Sequence, residues 1–142
     1  YPAEGHEQEI LHRFRVESPE EHLVSVAAPE DILAIRRKVR QVHVDPKISD
    51  YLVRIAAATR QSTHLRLGMS PRATQHLLLA SQAEALLSAR DFVIPEDVQE
   101  SAPNVLRHRL YLTAEARMEN LTPDGLIARI IQGVSAPSGF AR

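Results

Sequence analysis

Hydrophobic residues recur at intervals of three and four along most of the chain, which is the spacing of one face of an α-helix. The first such stretch spans residues 5–15, and its opening turn is acidic, as suits the positive end of a helix dipole. The polar residues 17–21 predict a loop. A second helix is predicted from Pro29, which Glu30 and Asp31 follow. Its apolar positions are Ile32, Ile35, Val39 and Val42.

Four further helix starts combine a proline with a neighbouring capping or acidic residue. They lie at Asp45–Pro46, Ser70–Pro71, Pro95–Glu96 and Thr122–Pro123. The helix from Ser70 is predicted to run to about Ala89, and the last helix to end near Gly133. Pro103 is predicted to kink or restart the helix from Pro95, because proline cannot donate the helical hydrogen bond.

The same spacing predicts which faces are buried. In the helix from Asp45 the predicted face is Ile48, Leu52, Ile55 and Thr59. In the helix from Ser70 it is Ala73, Leu77, Ala80, Ala83 and Leu87, small residues that let helices approach closely. Short strands are predicted near residues 42–44, 64–67 and 91–93. The pattern therefore predicts a mainly all-α bundle of five or six helices with a few very short strands, and a disordered tail at residues 138–142.

Composition narrows the possible functions. The 142 residues carry a net charge of −1, whereas nucleic-acid binders normally have a basic excess. There is no cysteine, which is compatible with a reducing cytosol, and a cytoplasmic location is expected. No apolar run is long enough to span a bilayer. The chain begins at Tyr1 without methionine, so it is expected to be a piece of a longer protein.

Motifs for chemistry within the chain are missing. Neither phosphate-binding pattern, G-x-x-x-x-G-K-[ST] or G-x-G-x-x-G, occurs. The seven histidines are dispersed without a metal-ligand spacing, so no metal site is predicted. Ser70 follows a possible strand, but Arg72 stands where a nucleophile elbow needs glycine, so Ser70 is predicted to be a helix cap. The chain alone is therefore not expected to be an enzyme or to hold a cofactor tightly.

Arg72 is the strongest candidate for a binding residue. It lies in the first turn of a helix, where a positive charge meets the positive end of the dipole. One explanation is an anion, since a guanidinium beside helix N–H groups makes a phosphate site. The other is that Arg72 extends into water or pairs with a nearby carboxylate. The residues alone leave both open.

Two basic clusters allow more than one interpretation. Arg36, Arg37, Lys38 and Arg40 could face DNA, but the net charge favours a solvated helix face. Arg107, His108 and Arg109 could form a salt-bridged corner or a surface for a partner, and the sequence does not separate these.

Five segments in this order resemble the C-terminal lid of MoxR-type AAA+ ATPases. Tyr1-Pro2 with the acidic helix Glu7–Leu11 resembles the exit from the AAA+ core. Residues 50–60 resemble a lid segment, and Leu67-Gly68-Met69-Ser70-Pro71-Arg72-Ala73 is similar to the family's G-A-S-P-R-A motif. Residues 83–98 and 105–110 resemble the R-D-[YF]-V-x-P-x-D-V and V-L-x-H-R-[LI] motifs. Met69 and Ser88 depart from the usual residues.

The resemblance implies one AAA+ helical lid domain over residues 1–137. It implies that Arg72 is the sensor 2 residue, reaching the γ-phosphate of ATP, and that Gly68 and Ser70 shape the turn that presents it. ATP and Mg²⁺ would be bound by a core that precedes this chain. The parent would be a ring-forming, chaperone-like ATPase that assists the assembly or activation of complexes. Its partners would be its own core, neighbouring subunits and a von Willebrand factor A-domain protein.

Two other functions stay possible from the sequence alone. One is a stand-alone helical adaptor that binds a protein and no nucleotide. The other is a nucleic-acid-binding helical domain centred on residues 36–40, which would show binding with a steep dependence on salt.

Overall fold

The computed structural model describes residues 2–16 and 23–140. Within them the chain forms seven helices and two strands: α1 (Glu4–Val16), α2 (Pro29–Val39), α3 (Pro46–Gln61), β1 (Leu65–Leu67), α4 (Pro71–Leu87), α5 (Pro95–Leu106), β2 (Tyr111–Leu112), α6 (Ala114–Met118) and α7 (Pro123–Gly133). The mainly all-α prediction is confirmed, with more helices than the five or six expected. The predicted loop at residues 17–21 lies outside the described residues.

The chain divides into two compact units, Tyr1–Ala34 and Ile35–Arg142, with the boundary inside α2. In the first unit, α1 exposes Ile10, Leu11 and Phe14. The start of α2 is capped by Asp31, whose carboxylate accepts a hydrogen bond from the Ala28 N–H at 2.8 Å. A single lid domain over residues 1–137 stays a prediction, because this division into units does not test it.

The core of the second unit includes buried side chains from α3, α4, α5 and α7. The predicted buried face of α3 is correct. Ile48, Leu52, Ile55 and Thr59 are each at most 2% exposed. Asp45 caps this helix as predicted, since its carboxylate accepts the Lys47 N–H at 2.8 Å. Tyr51, beside that face, is also fully buried.

The predicted face of α4 is correct only in its first half. Ala73 and Leu77 are buried, but Leu87 is 82% exposed. Ser81 and Gln82 are buried instead. The Ser81 hydroxyl donates to the Leu77 carbonyl at 2.9 Å, and the Gln82 amide donates to the Val42 carbonyl at 2.9 Å. A face chosen from apolar residues alone misses polar side chains whose hydrogen bonds are satisfied inside the core.

The short extended segments pair in two places. Predicted segments 42–44 and 91–93 meet in a single parallel bridge between His43 and Phe92 rather than in a strand pair. The predicted strand at 64–67 is confirmed as β1, which pairs antiparallel with β2. Neither β2 nor the following α6 was predicted. Both are too short to show a period, with two and five residues.

Pro103 lies inside α5, which continues through it to Leu106 without restarting. α7 begins and ends as predicted, with the Thr122 hydroxyl accepting the Gly125 N–H at 3.1 Å and Gly133 as its last residue. Part of the predicted disordered tail, residues 141–142, lies outside the described residues. Within the rest, Phe140 is partly buried and packs against the core. Disorder of residues 138–142 stays a prediction.

Candidate functional site

The start of α4 is a capped helix terminus. Ser70 has an extended backbone, with φ −75° and ψ 160°, and its hydroxyl accepts the Ala73 N–H at 3.2 Å. Pro71 follows as the first helical residue, where its missing N–H costs nothing. The prediction that Ser70 is a cap is therefore confirmed. The cap determines the direction in which the first turn, including Arg72, leaves the preceding loop.

The loop before this cap is held against the C-terminal end of α3. The Met69 N–H donates to the buried Thr59 hydroxyl at 2.9 Å, and that hydroxyl donates to the Ala56 carbonyl at 2.7 Å. On the other side of the same residue, the Arg60 Nε–H donates to the Met69 carbonyl at 2.8 Å. The Met69 side chain is itself 1% exposed. Both backbone polar groups of Met69 are thus bound to α3, and its side chain belongs to the core.

Gly68 allows the loop to come this close to α3. A Cβ atom added at this position would lie 2.8 Å from the Cα and N atoms of Arg60 and from the carbonyl carbon of Thr59. These are backbone atoms at the end of a helix, so they cannot turn aside as a flexible side chain would. The glycine is required here by close packing of two backbones rather than by a left-handed turn.

Arg72 is exposed in the first turn of α4. Within residues 2–16 and 23–140, no hydrogen bond or ion pair joins its guanidinium to another side chain. Of the alternatives left open by the sequence, pairing with a neighbouring carboxylate is therefore not seen in the described part of the chain. The structure thus leaves the guanidinium of an arginine in the first turn of a helix exposed to solvent, where an anionic ligand could pair with it.

The segment between α4 and α5 contains a partly buried ion pair that the sequence pattern did not reveal. The Arg90 guanidinium bonds both carboxylate oxygens of Asp97, at 2.8 and 2.5 Å, and donates to the Phe92 carbonyl at 3.0 Å. Asp97 also accepts the Ile94 N–H at 2.8 Å, at the start of α5. The hydrogen bond to Asp97 raises the pKa of Arg90. Arg90 and Asp97, both in the motif segment at residues 83–98, thus connect the end of α4 to the start of α5.

The cluster at the end of α5 separates into two different arrangements. Arg107 forms an exposed ion pair with Asp124 of α7, with Nε 3.1 Å from the carboxylate. Arg109 instead bonds two imidazoles: its Nε lies 3.0 Å from His108 Nε2, and its Nη2 lies 2.9 Å from His76 Nδ1 of α4. Arg107 therefore fits the interpretation as a salt-bridged corner, and Arg109 does not.

All four basic residues of the run at positions 36–40 are exposed. Among the described residues no cluster of three or more histidines, aspartates and glutamates could hold a metal ion. The helices of the described part also include none long and apolar enough to cross a membrane.

Comparison with known proteins places the chain in a family. Residues 57–130 match the AAA lid domain family, which covers both α4 and the Arg90–Asp97 segment. The YeaC protein of Bacillus subtilis is 39% identical over 137 residues, which is 96% of this chain and 43% of that protein. Chaperone MoxR1 of Mycobacterium tuberculosis is 35% identical over 146 residues, covering 96% of this chain and 38% of its own length.

A solved structure supports the same assignment. A crystal structure described as a candidate ATPase from Cytophaga hutchinsonii superimposes with a TM-score of 0.79 and 25% identity, covering 97% of this chain and 44% of that one. The chain thus spans less than half the length of these relatives. It belongs to the AAA lid domain family and is the C-terminal lid of a MoxR-type AAA+ protein.

Proposed function

We propose that this lid serves an ATP-hydrolysing parent protein and that Arg72 is its sensor 2 arginine, which contacts the γ-phosphate of ATP. The observation that carries the proposal is the exposure of Arg72 in the first turn of α4, with no carboxylate partner in the described part of the chain. A guanidinium beside helix N–H groups is suited to a phosphate oxygen. Gly68 and Ser70 would act indirectly, by fixing the turn from which Arg72 extends.

ATP and Mg²⁺ would be bound by the core of the parent, which supplies the phosphate chemistry. The contribution of this chain would be one positive charge, positioned on a helix terminus that is packed against α3. Such a charge stabilises the negative charge that develops on a transferring phosphoryl group. When the γ-phosphate is gone, Arg72 loses its partner, and the lid is free to move relative to the core as a hinged body.

The wider role of the parent is proposed from the family. One relative is named as a chaperone, and a chaperone-like ATPase that assists the assembly or activation of protein complexes fits that name. The partners of the lid would be its own AAA+ core and the neighbouring subunits of a ring. A von Willebrand factor A-domain protein as a further partner stays a prediction from the resemblance.

The test is steady-state ATP hydrolysis by the full-length parent carrying Arg72→Ala. We expect turnover to fall on the order of 10- to 1000-fold, comparable to or below the loss of an arginine finger. Arg72→Lys should restore only part of the activity, because an ammonium group lacks the bidentate fork of a guanidinium. Affinity for ADP should change little, since ADP has no γ-phosphate. Equal turnover of the wild type and Arg72→Ala would reject the proposal.

Two controls separate this effect from general damage. Gln75→Ala alters another exposed residue near the start of α4, and Arg37→Ala removes an exposed arginine from α2. Both should keep near-normal turnover. Arg72→Ala should also keep its unfolding temperature within a few degrees, because an exposed first-turn arginine makes no core contact and its loss relieves a dipole conflict.

A further inference from the structure

The guanidinium of Arg109 is surrounded by hydrogen-bond acceptors that carry no charge. Guanidinium nitrogens can only donate, so His108 Nε2 and His76 Nδ1 must both accept in the bonds at 3.0 and 2.9 Å. Both imidazoles are therefore neutral in this arrangement, and each carries its proton on the other ring nitrogen. Within the described residues Arg109 has no ion pair, and its Nη1 makes no hydrogen bond. The positive charge of Arg109 is thus positioned by the fold but not neutralised.

This charge borders a groove between α4 and α5. The groove has a volume of about 390 Å³ and is lined by His76, Leu79, Asn104, Val105, His108 and Arg109. Among these lining residues none is acidic. The groove therefore combines one permanent positive charge, N–H groups of two neutral imidazoles and one amide, and two apolar side chains. Such a lining suits a ligand that has acceptor oxygens and a single negative charge on an apolar stem.

We propose that this groove is a docking site for a protein partner that inserts a carboxylate side chain, a glutamate or an aspartate, beside Arg109. The free Nη1 and the second N–H of Nη2 form an edge that fits a carboxylate in the bidentate manner. The single charge matches one carboxylate, whereas a nucleotide phosphate chain carries several charges and would require more cations. Leu79 and Val105 would contact the methylene groups of the inserted side chain. This site lies beyond the proposed function of Arg72 and does not depend on it.

Binding can be measured on this chain by nuclear magnetic resonance, following the Arg109 Nε–H and the ring nitrogens of His76 and His108. The probe is a capped tetraglutamate peptide, with tetraglutamine as the uncharged comparison. We expect saturable shifts at these three residues with a dissociation constant on the order of 1 mM, as one partly exposed ion pair contributes little energy. Tetraglutamine should cause none. An absence of saturable shifts at these residues would overturn the proposal, whatever the behaviour of any variant.

A matched pair of variants tests the assignment to Arg109. Arg109→Gln should weaken tetraglutamate binding about two- to fivefold, as expected for one partly exposed ion pair. Arg107→Ala, which removes the neighbouring exposed arginine, should leave the binding unchanged. Equal weakening by both variants would show unspecific attraction to positive charge and overturn the proposal. A titration with inorganic phosphate is the third arm. Shifts at Arg109 with phosphate but not with tetraglutamate would replace the carboxylate by a phosphate ligand and likewise overturn it.

Discussion

The replacement Thr59→Val tests whether the loop that carries Arg72 is held by the Thr59 hydroxyl. Valine has nearly the same shape and helix propensity as threonine, so the change removes the hydroxyl and little else. The Met69 N–H, 2.9 Å from that hydroxyl, would lose its partner inside the core. A buried N–H left unsatisfied costs about 1–3 kcal/mol, and the added methyl group returns about 0.8 kcal/mol. The net loss of unfolding free energy is therefore about 0.2–2.2 kcal/mol.

Global stability alone would not prove this explanation. Thr59→Ser keeps the hydroxyl and deletes one buried methyl group, which costs about 1 kcal/mol by itself. Urea denaturation should therefore give overlapping losses for the two variants. The measurement that separates them is hydrogen exchange of the Met69 amide under native conditions, because exchange through local opening reports on a single bonded segment.

In Thr59→Val we expect Met69 exchange to accelerate about tenfold, because a loss of about 1.4 kcal/mol, within the range above, corresponds to a factor of ten. In Thr59→Ser the same amide should stay protected apart from the change in global stability. The Ala73 amide, capped by Ser70 one turn later, serves as an internal reference in both variants. Equal protection of Met69 in the two variants would refute the assigned role of the hydroxyl.

Gly68→Ala should lower the melting temperature by about 5 °C or more, because the added Cβ must displace backbone atoms at 2.8 Å. Gly133→Ala, which has open space around it, should leave the melting temperature nearly unchanged, and equal effects of the two variants would contradict this packing. Asp97→Asn should lower the free energy of unfolding, measured by chemical denaturation, by about 2–4 kcal/mol, because it leaves the Arg90 side chain, 17% exposed, without its ionic partner. Asp124→Asn, in the exposed pair with Arg107, should lower it by at most about 1 kcal/mol, and the reverse order of the two losses would refute this prediction. The chain alone should release phosphate from ATP no faster than a heat-inactivated sample does, because hydrolysis needs a phosphate-binding loop and bound magnesium. Reproducible turnover by the chain alone would contradict this prediction.

Capped and periodic elements were predictable from the sequence. A proline after a capping side chain determines a helix start through local chemistry, and Asp45, Ser70 and Thr122 all cap as expected. The buried face of α3 was predictable because all of its residues except Thr59 are apolar and recur at helical spacing. The buried face in the second half of α4 was not predictable. Ser81 and Gln82 are buried there because hydrogen bonds satisfy their side chains, and the local sequence pattern does not reveal the partners of these bonds.

The candidate site was predictable only in part. The position of Arg72 in a first turn follows from Ser70 and Pro71, whereas its exposure and its lack of a carboxylate partner among the described residues became known only from the structure. The attachment of the loop to α3 was not predictable, because it joins residues 59 and 69 through a hydroxyl and a backbone N–H. The contacts of Arg109 with His108 and His76 were also not predictable, because His76 lies 33 residues away in the sequence.

The contacts around the loop constrain how Arg72 could reach a ligand. Gly68 packs on the α3 backbone, Met69 bonds to α3 through both backbone groups, and Ser70 caps α4. The backbone at Arg72 is therefore fixed relative to α3, and only its side chain can turn freely. If Arg72 has the proposed sensor 2 role, its approach to the γ-phosphate and its release would then involve movement of α3 and α4 together rather than of the loop alone. A weakened attachment, as in Thr59→Val, should then reduce turnover of the parent without removing the arginine, and by less than Arg72→Ala.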